Sequence, residues 1–202
     1  MNERLHQRDL DPDPIKQFAI WFEEAKLKSG LPNPNSMVLC TFSPEGWPEG
    51  RPVLLKHFDE RGFVFYTNLD SAKGRAIQAL AKAELVFHWD SLGRQLRIRG
   101  ELVLVADTEA DAYFTTRHRE SQLAAWASIQ SHAVSSREKM EERFRDMEQK
   151  FKDKSIPRPS NWSGYRLSAN RIEFWKADLH RFHDRFQYSL EKGKWELNRI
   201  YP

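Results

Sequence analysis

The sequence is short of cysteine, of long apolar runs and of charge of one sign, and each shortage removes a class of protein. One cysteine, Cys40, in 202 residues leaves no disulfide framework and no thiolate metal site. A reducing, cytoplasmic setting is the expectation. No apolar run approaches the roughly 18 residues of a membrane span, and the polar start "MNERLHQRDLDPDP" has no signal-peptide core. No membrane partner is expected. Acidic residues (29) and basic residues (32) are interspersed for a net charge of +3, so no basic stripe asks for nucleic acid. The seven histidines lack zinc-site spacing, and the chain has no GxSxG elbow, no P-loop and no Rossmann-type alternation. No metal is expected.

What is there fits one sizeable core: 40% hydrophobic residues and 12% aromatic. "DPIKQFAIWFEEAKLKSG" places Ile15, Phe18, Ile20, Trp21 and Ala25 at helical spacing, predicting a capped helix within about 13–29. "SMVLCTFSPEGWPEGRPVLLKHFDERGFVFYTN" reads as three antiparallel strands separated by "SPEG", "PEG" and "DERG". A short helix capped by Ser71 follows, then strands at "ELVFHWD" and "RQLRIRGELVLVAD", the latter long or bent at Gly100. Asp107 or Thr108 opens a helical region, continuous or with one break, to about Ser128. The helix in "SSREKMEERFRDMEQKFKD" has a capping box of Ser135 and Glu138, with Met140, Phe144, Met147 and Phe151 as core contacts. After a proline-containing loop, three further strands close the chain. Six or more antiparallel strands with helices before and between them predict an α+β protein on a small closed or half-open barrel.

Four clusters of positive charge stand out. Lys73 and Arg75 oppose the dipole of the helix that Ser71 starts, a placement an anion at the free N–H groups would explain. Arg51 and Lys56 bracket "RPVLLK", on opposite faces if the strand is regular. Tyr113, Arg117 and Ser121 share one face if their helix is unbroken, and a phenol, a guanidinium and a hydroxyl suit a phosphate. In "RFHDRFQY", strand alternation turns Arg181, His183, Arg185 and Gln187 one way and Phe182, Asp184, Phe186 and Tyr188 the other. The residues alone are equally compatible with solvated charged faces. On the aromatic side, Asp184 is expected to pair with a buried donor or a cation of another strand.

In this order, "RPVLLK", "FYTNLDSAKG", "RQLRIRG", "YFTTRHRESQLAAWASIQS", "FWKADLHRFHDRFQY" and "WELNRIYP" resemble the pyridoxamine 5'-phosphate oxidase family over about residues 8–202. The resemblance implies a single FMN-binding domain of antiparallel split β-barrel fold, with dimerisation and active-site strands within about 162–202. It implies a homodimer with FMN at the subunit interface. FMN contacts would fall to Arg51, Pro52, Val53, Leu54, Leu55, Lys56, Tyr66, Thr67, Lys73 and Gln95, and to Gln130, Ser131, Trp175 and Arg185. Substrate phosphate would fall to Lys56, Tyr113, Arg117 and Ser121, with Arg181 and His183 as the catalytic pair over the substrate ring. The implied reaction oxidises pyridoxamine or pyridoxine 5'-phosphate to pyridoxal 5'-phosphate, with O2 as the final acceptor. The chain departs from the family at Ala72, where an arginine is usual; Arg75 is a candidate replacement. The resemblance leaves two alternatives: a related flavin oxidase acting on another small aromatic substrate, or a non-catalytic FMN or pyridoxal phosphate binding protein.

Overall fold

Asp13 starts the first helix, α1 (Pro14–Lys28): its Oδ1 accepts the Ile15 N–H at 2.9 Å, and Pro14 fills the first helical position. The computed structural model describes residues 4–202. The buried face of α1 is Pro14, Gln17, Phe18, Trp21, Phe22 and Ala25. Ile20, expected on that face, is 51% exposed, because two residues from Phe18 is about 200° round the helix. The Phe18 ring lies 4.8 Å from Phe58, 4.9 Å from Phe63 and 5.4 Å from Phe87. It thereby plugs the apolar face of the sheet, and burial of such a ring stabilises by about 1.5–3 kcal/mol.

Nine antiparallel strands lie among the described residues: β1 (Ser36–Phe42), β2 (Pro48–Leu54), β3 (His57–Asp59), β4 (Gly62–Asn68), β5 (Lys82–Trp89), β6 (Arg94–Leu104), β7 (Trp162–Lys176), β8 (Asp184–Glu191) and β9 (Lys194–Arg199). The region read as three strands holds four. "PEG" belongs to β2; the preceding turn is made by residues 43–47, where Ser43 Oγ accepts the Trp47 N–H and Gly46 has φ +87°. The short β3 then pairs with β4.

The sheet runs β2-β1-β5-β6-β7-β4-β3, and it divides at β7. One edge of β7 pairs with β6 along most of its length, while the other takes β4 over Trp162–Leu167 and β8 over Arg171–Lys176. β9 adds to β8. At the changeover the β6/β7 register shifts between Arg99 and Gly100, and a Cβ on Gly100 would sit 2.0 Å from the Ser168 carbonyl oxygen. Only glycine permits that approach, so the bend expected at Gly100 is where the barrel splits. The fold is the mixed helical and antiparallel half-barrel that the sequence predicts.

Helix α2 (Ala72–Ala79) is capped by Ser71, whose Oγ accepts the Gly74 N–H at 3.2 Å. Between β6 and β7 lie α3 (Asp107–Thr115), α4 (Arg119–Ala127) and α5 (Arg137–Lys150). The helix that was to carry Tyr113, Arg117 and Ser121 is broken at residues 116–118. Thr115 and Thr116 donate their hydroxyls back to the Ala112 and Tyr113 carbonyls, each at 2.8 Å, which competes with helix continuation. The cap of α5 is Ser136 rather than Ser135. Phe144 and Met147 pack against a second apolar cluster of Phe114, Leu123, Phe151, Ile156 and Trp162, whereas Met140 is 54% exposed. No helix among the described residues is long and apolar enough to cross a membrane.

The octamer 181–188 is not one strand. β8 begins at Asp184; before it, Leu179–Arg181 make a single 3-10 turn with His180 at φ +56° and Arg181 at φ +64°, and Phe182 is 76% exposed. From Asp184 onward the expected alternation holds, with Asp184, Phe186 and Tyr188 buried. Asp184 has the partners anticipated for it: its Oδ2 accepts the Leu5 N–H at 2.8 Å and its Oδ1 accepts Arg199 Nη1–H at 2.5 Å. Burial pushes this carboxyl up, but the Arg199 guanidinium and the Leu5 N–H outweigh it and hold it below the usual carboxylate range.

Candidate functional site

Two separate sets of residues carry the chemistry. The first surrounds a cavity of about 660 Å³ between the ends of β2 and β4, the start of α2, and the α3–α4 break. Lys56, Lys73 and Arg117 line it, and no aspartate or glutamate does. Among the described residues none of these three cations has an ion-pair partner. Lys73 Nζ donates to Gln130 Oε1 at 2.9 Å, and burial, followed by the nearby Arg51 charge, pulls its amine below the usual lysine value. Burial likewise lowers Arg117, whose Nη1 is buried and makes no hydrogen bond. A desolvated cation without a partner is costly, so the lining of the cavity suits an anion.

The break between α3 and α4 does not scatter Tyr113, Arg117 and Ser121, for all three line this cavity. Trp162, the first residue of β7, stacks beside Tyr66 at 5.2 Å with 8° between planes; Tyr66 stacks on Tyr113 at 4.0 Å and 13°. Burial, with smaller effects from Glu109 and Tyr113, pushes the Tyr66 phenol up to about 12, so it stays a neutral donor at physiological pH. Pro52, Val53, Leu54 and Thr67 also face the cavity.

Four nearby residues named from the sequence do not line this cavity. Arg51 does not line the cavity: its Nη1 donates to Thr41 Oγ1 at 2.6 Å and to two backbone carbonyls, and its Nη2 meets Glu49 Oε2 at 2.5 Å. Arg75, the candidate replacement for an arginine at position 72, donates from Nη1 to the Asp70 carbonyl at 2.5 Å and does not line the cavity. Leu55 is buried core and Ser131 is exposed at φ +68°; neither lines the cavity.

The second set lies toward the far end of β7. Gln95, Trp175 and Arg185 are cross-strand neighbours on β6, β7 and β8, hence on one face of the sheet. The Trp175 ring is 4.7 Å from the His183 ring. Arg185 Nε donates to Glu173 Oε1 at 2.8 Å and its Nη1 to the Tyr201 carbonyl at 2.9 Å. Arg181 is exposed. None of these residues lines the first cavity. Sequence reading missed Trp162, Thr116, His118 and Ser128, which do. Thr116, His118 and Ser128 lie inside the motif "YFTTRHRESQLAAWASIQS" without having been singled out, and Trp162 lies outside every motif named.

Residues 23–155 match the family model described as pyridoxamine 5'-phosphate oxidase. The chain belongs to this family. Residues 162–202 match the C-terminal dimerisation region of pyridoxine 5'-phosphate oxidase, which supports a homodimer built on β7–β9. The pyridoxine/pyridoxamine 5'-phosphate oxidase of Rubrobacter xylanophilus is 50% identical over 198 residues, 98% of this chain and 91% of that protein. That of Myxococcus xanthus is 48% identical, over 98% and 96%. In structure, the chain is similar to PhzG from Burkholderia lata 383 in complex with tetrahydrophenazine-1-carboxylic acid, with a TM-score of 0.91 at 26% identity over 99% of this chain and 98% of that one. The family places the protein among flavoprotein oxidoreductases of vitamin B6 metabolism.

Proposed function

We propose that the protein oxidises pyridoxamine 5'-phosphate or pyridoxine 5'-phosphate to pyridoxal 5'-phosphate with FMN as cofactor. The observation that carries this reading is the carboxylate-free cavity in which Lys56, Lys73 and Arg117 have no ion-pair partner among the described residues and Arg117 Nη1 is buried without a hydrogen bond. Two phosphates, one from each ligand, suit that surplus of donors. Lys56, Tyr113, Arg117 and Ser121 would hold the substrate phosphate. Tyr66, Thr67, Lys73 and Gln130, with the backbone of 52–54, would hold FMN. FMN would supply what no side chain here can, accepting a hydride from the substrate and yielding it to O2 as hydrogen peroxide.

The remaining residues named for the site do not line this cavity and stand toward the other end of β7. Trp162 opens the 15-residue β7 and Trp175 stands beside its last residue, a backbone path of roughly 45 Å. A homodimer resolves the separation: Gln95, Trp175, Arg181, His183 and Arg185 of one subunit would face the cavity of the other. Arg181 and His183 would then lie over the substrate ring, orienting it and stabilising developing charge, while the phosphate contacts fix its distance from the flavin. When the amine is the substrate, water releases ammonia from the resulting imine.

The test is one purification. A yellow protein whose flavin spectrum bleaches anaerobically with pyridoxamine phosphate and returns in air supports the reading. A flavin that stays oxidised with that substrate, yet bleaches with an aromatic acid lacking phosphate, would move the protein to the chemistry of another split-barrel oxidase.

A further inference from the structure

We propose that Asp178 is a positioning residue for His183 and Arg181, an inference that rests on the oxidase reading above. The turn that carries Arg181 contains two successive non-glycine residues in the left-handed region, His180 at φ +56° and Arg181 at φ +64°. Such backbone persists only where its surroundings over-determine it. Within the turn the Phe182 N–H donates to the Leu179 carbonyl at 3.1 Å, and Asp178 braces it from the start. Its Oδ1 accepts the Leu179 N–H at 2.7 Å, capping the 3-10 turn at its first residue. Its own backbone N–H donates to His183 Nδ1 at 3.2 Å, so the loop 178–183 is closed from one end to the other. Its Oδ2 lies 3.4 Å from Arg4 Nε, an exposed contact that adds little.

The bond to His183 has a chemical consequence. A backbone N–H can only donate, so Nδ1 is the acceptor and the neutral imidazole carries its proton on Nε2. With Trp175 packed 4.7 Å from the ring, His183 is held as a hydrogen-bond donor of fixed orientation. That form can donate to an oxygen of the substrate; the backbone N–H of residue 178 selects it, and the Asp178 carboxylate holds that N–H in place without touching the substrate.

Asp178→Ala removes the capping oxygen and frees the turn. Its KM for pyridoxamine phosphate is expected to rise about fivefold to tenfold, because a loosened turn misplaces Arg181 and His183, with flavin content unchanged. A second readout needs neither flavin nor substrate: long-range proton–nitrogen spectra of 15N-histidine-labelled protein. Wild type should show His183 as the Nε2–H tautomer, and Asp178→Ala a mixture of both. Asp178→Asn keeps an oxygen in place and should restore both the KM and the single tautomer. An Asp178→Ala protein with wild-type KM and one tautomer overturns the proposal, as does an Asn protein as impaired as the Ala one. If wild-type flavin is not reduced by pyridoxamine phosphate, the oxidase reading fails instead, and the spectra decide the role of Asp178 alone.

Discussion

The guanidinium of Arg117 lies 4.7 Å over the ring of Trp162, with its Nη1 buried and unbonded. The ring supplies cation–π attraction but no acceptor, so the charge is held in place without being neutralised. Arg117→Met should therefore separate stability from function. The apoprotein should gain on the order of 1 kcal/mol in urea unfolding, because a desolvated charge is gone. At the same time the KM for pyridoxamine phosphate should rise about 10- to 100-fold, the loss of charged hydrogen bonds. A variant that loses both stability and substrate affinity would show that Arg117 is structural.

The same cavity should bind an anion without its substrate. Millimolar inorganic phosphate is expected to raise the Tm of the flavin-free protein, increasing with the logarithm of phosphate concentration. Sodium chloride at equal ionic strength should do much less. Arg117→Met and Lys73→Ala should each blunt the rise.

Asp184 should set a limit at low pH. Its carboxyl is held below the ordinary aspartate value of 3.8 by Arg199 and the Leu5 N–H despite burial. The folded protein thus binds its proton less readily than the unfolded chain does. The stability this confers is complete above about pH 4 and is lost as pH falls through the lower folded value. Asp184→Asn should cost roughly 1–3 kcal/mol at pH 7, since Arg199 is half exposed and partly screened. By pH 2.5 the gap between Asn variant and wild type in urea unfolding should have narrowed.

Gly100→Ala should be among the most damaging single-methyl additions. Its Cβ would stand 2.0 Å from the Ser168 backbone oxygen, where β6 and β7 change register. A loss of about 3 kcal/mol or more is expected, as backbone rather than a flexible side chain must yield. Circular dichroism melts on Gly100→Ala and, as a control, on Gly46→Asn, whose turn is open, measure it.

Local signals made much of this legible from sequence. The Gly100 bend, the Ser71 cap and the need of Asp184 for a partner each follow from short-range chemistry that a single strand or helix end carries with it. What escaped depends on competition between near-equal conformations. Thr115 and Thr116 fix the place of a helix break that no glycine or proline announces, and Arg181 leaves strand geometry although its neighbours alternate well. The convergence of Tyr113, Arg117 and Ser121 on one cavity was anticipated through an unbroken helix and is reached through a broken one. Trp162 was invisible because its role comes from residues distant in sequence: Tyr66, brought near by the β4–β7 pairing, and Arg117, held at the α3–α4 break.

The forked strand β7 also has a genetic consequence. Residues near its start and residues near its end would serve different sites of the same dimer, so two differently damaged chains could repair one another. Arg117→Ala and Arg181→Ala homodimers should both be nearly inactive. Unfolded together and refolded as a mixture, they should recover about a quarter of wild-type activity, because half of the dimers are mixed and each mixed dimer has one intact site of two. Were each site drawn from a single chain, no mixture would recover anything.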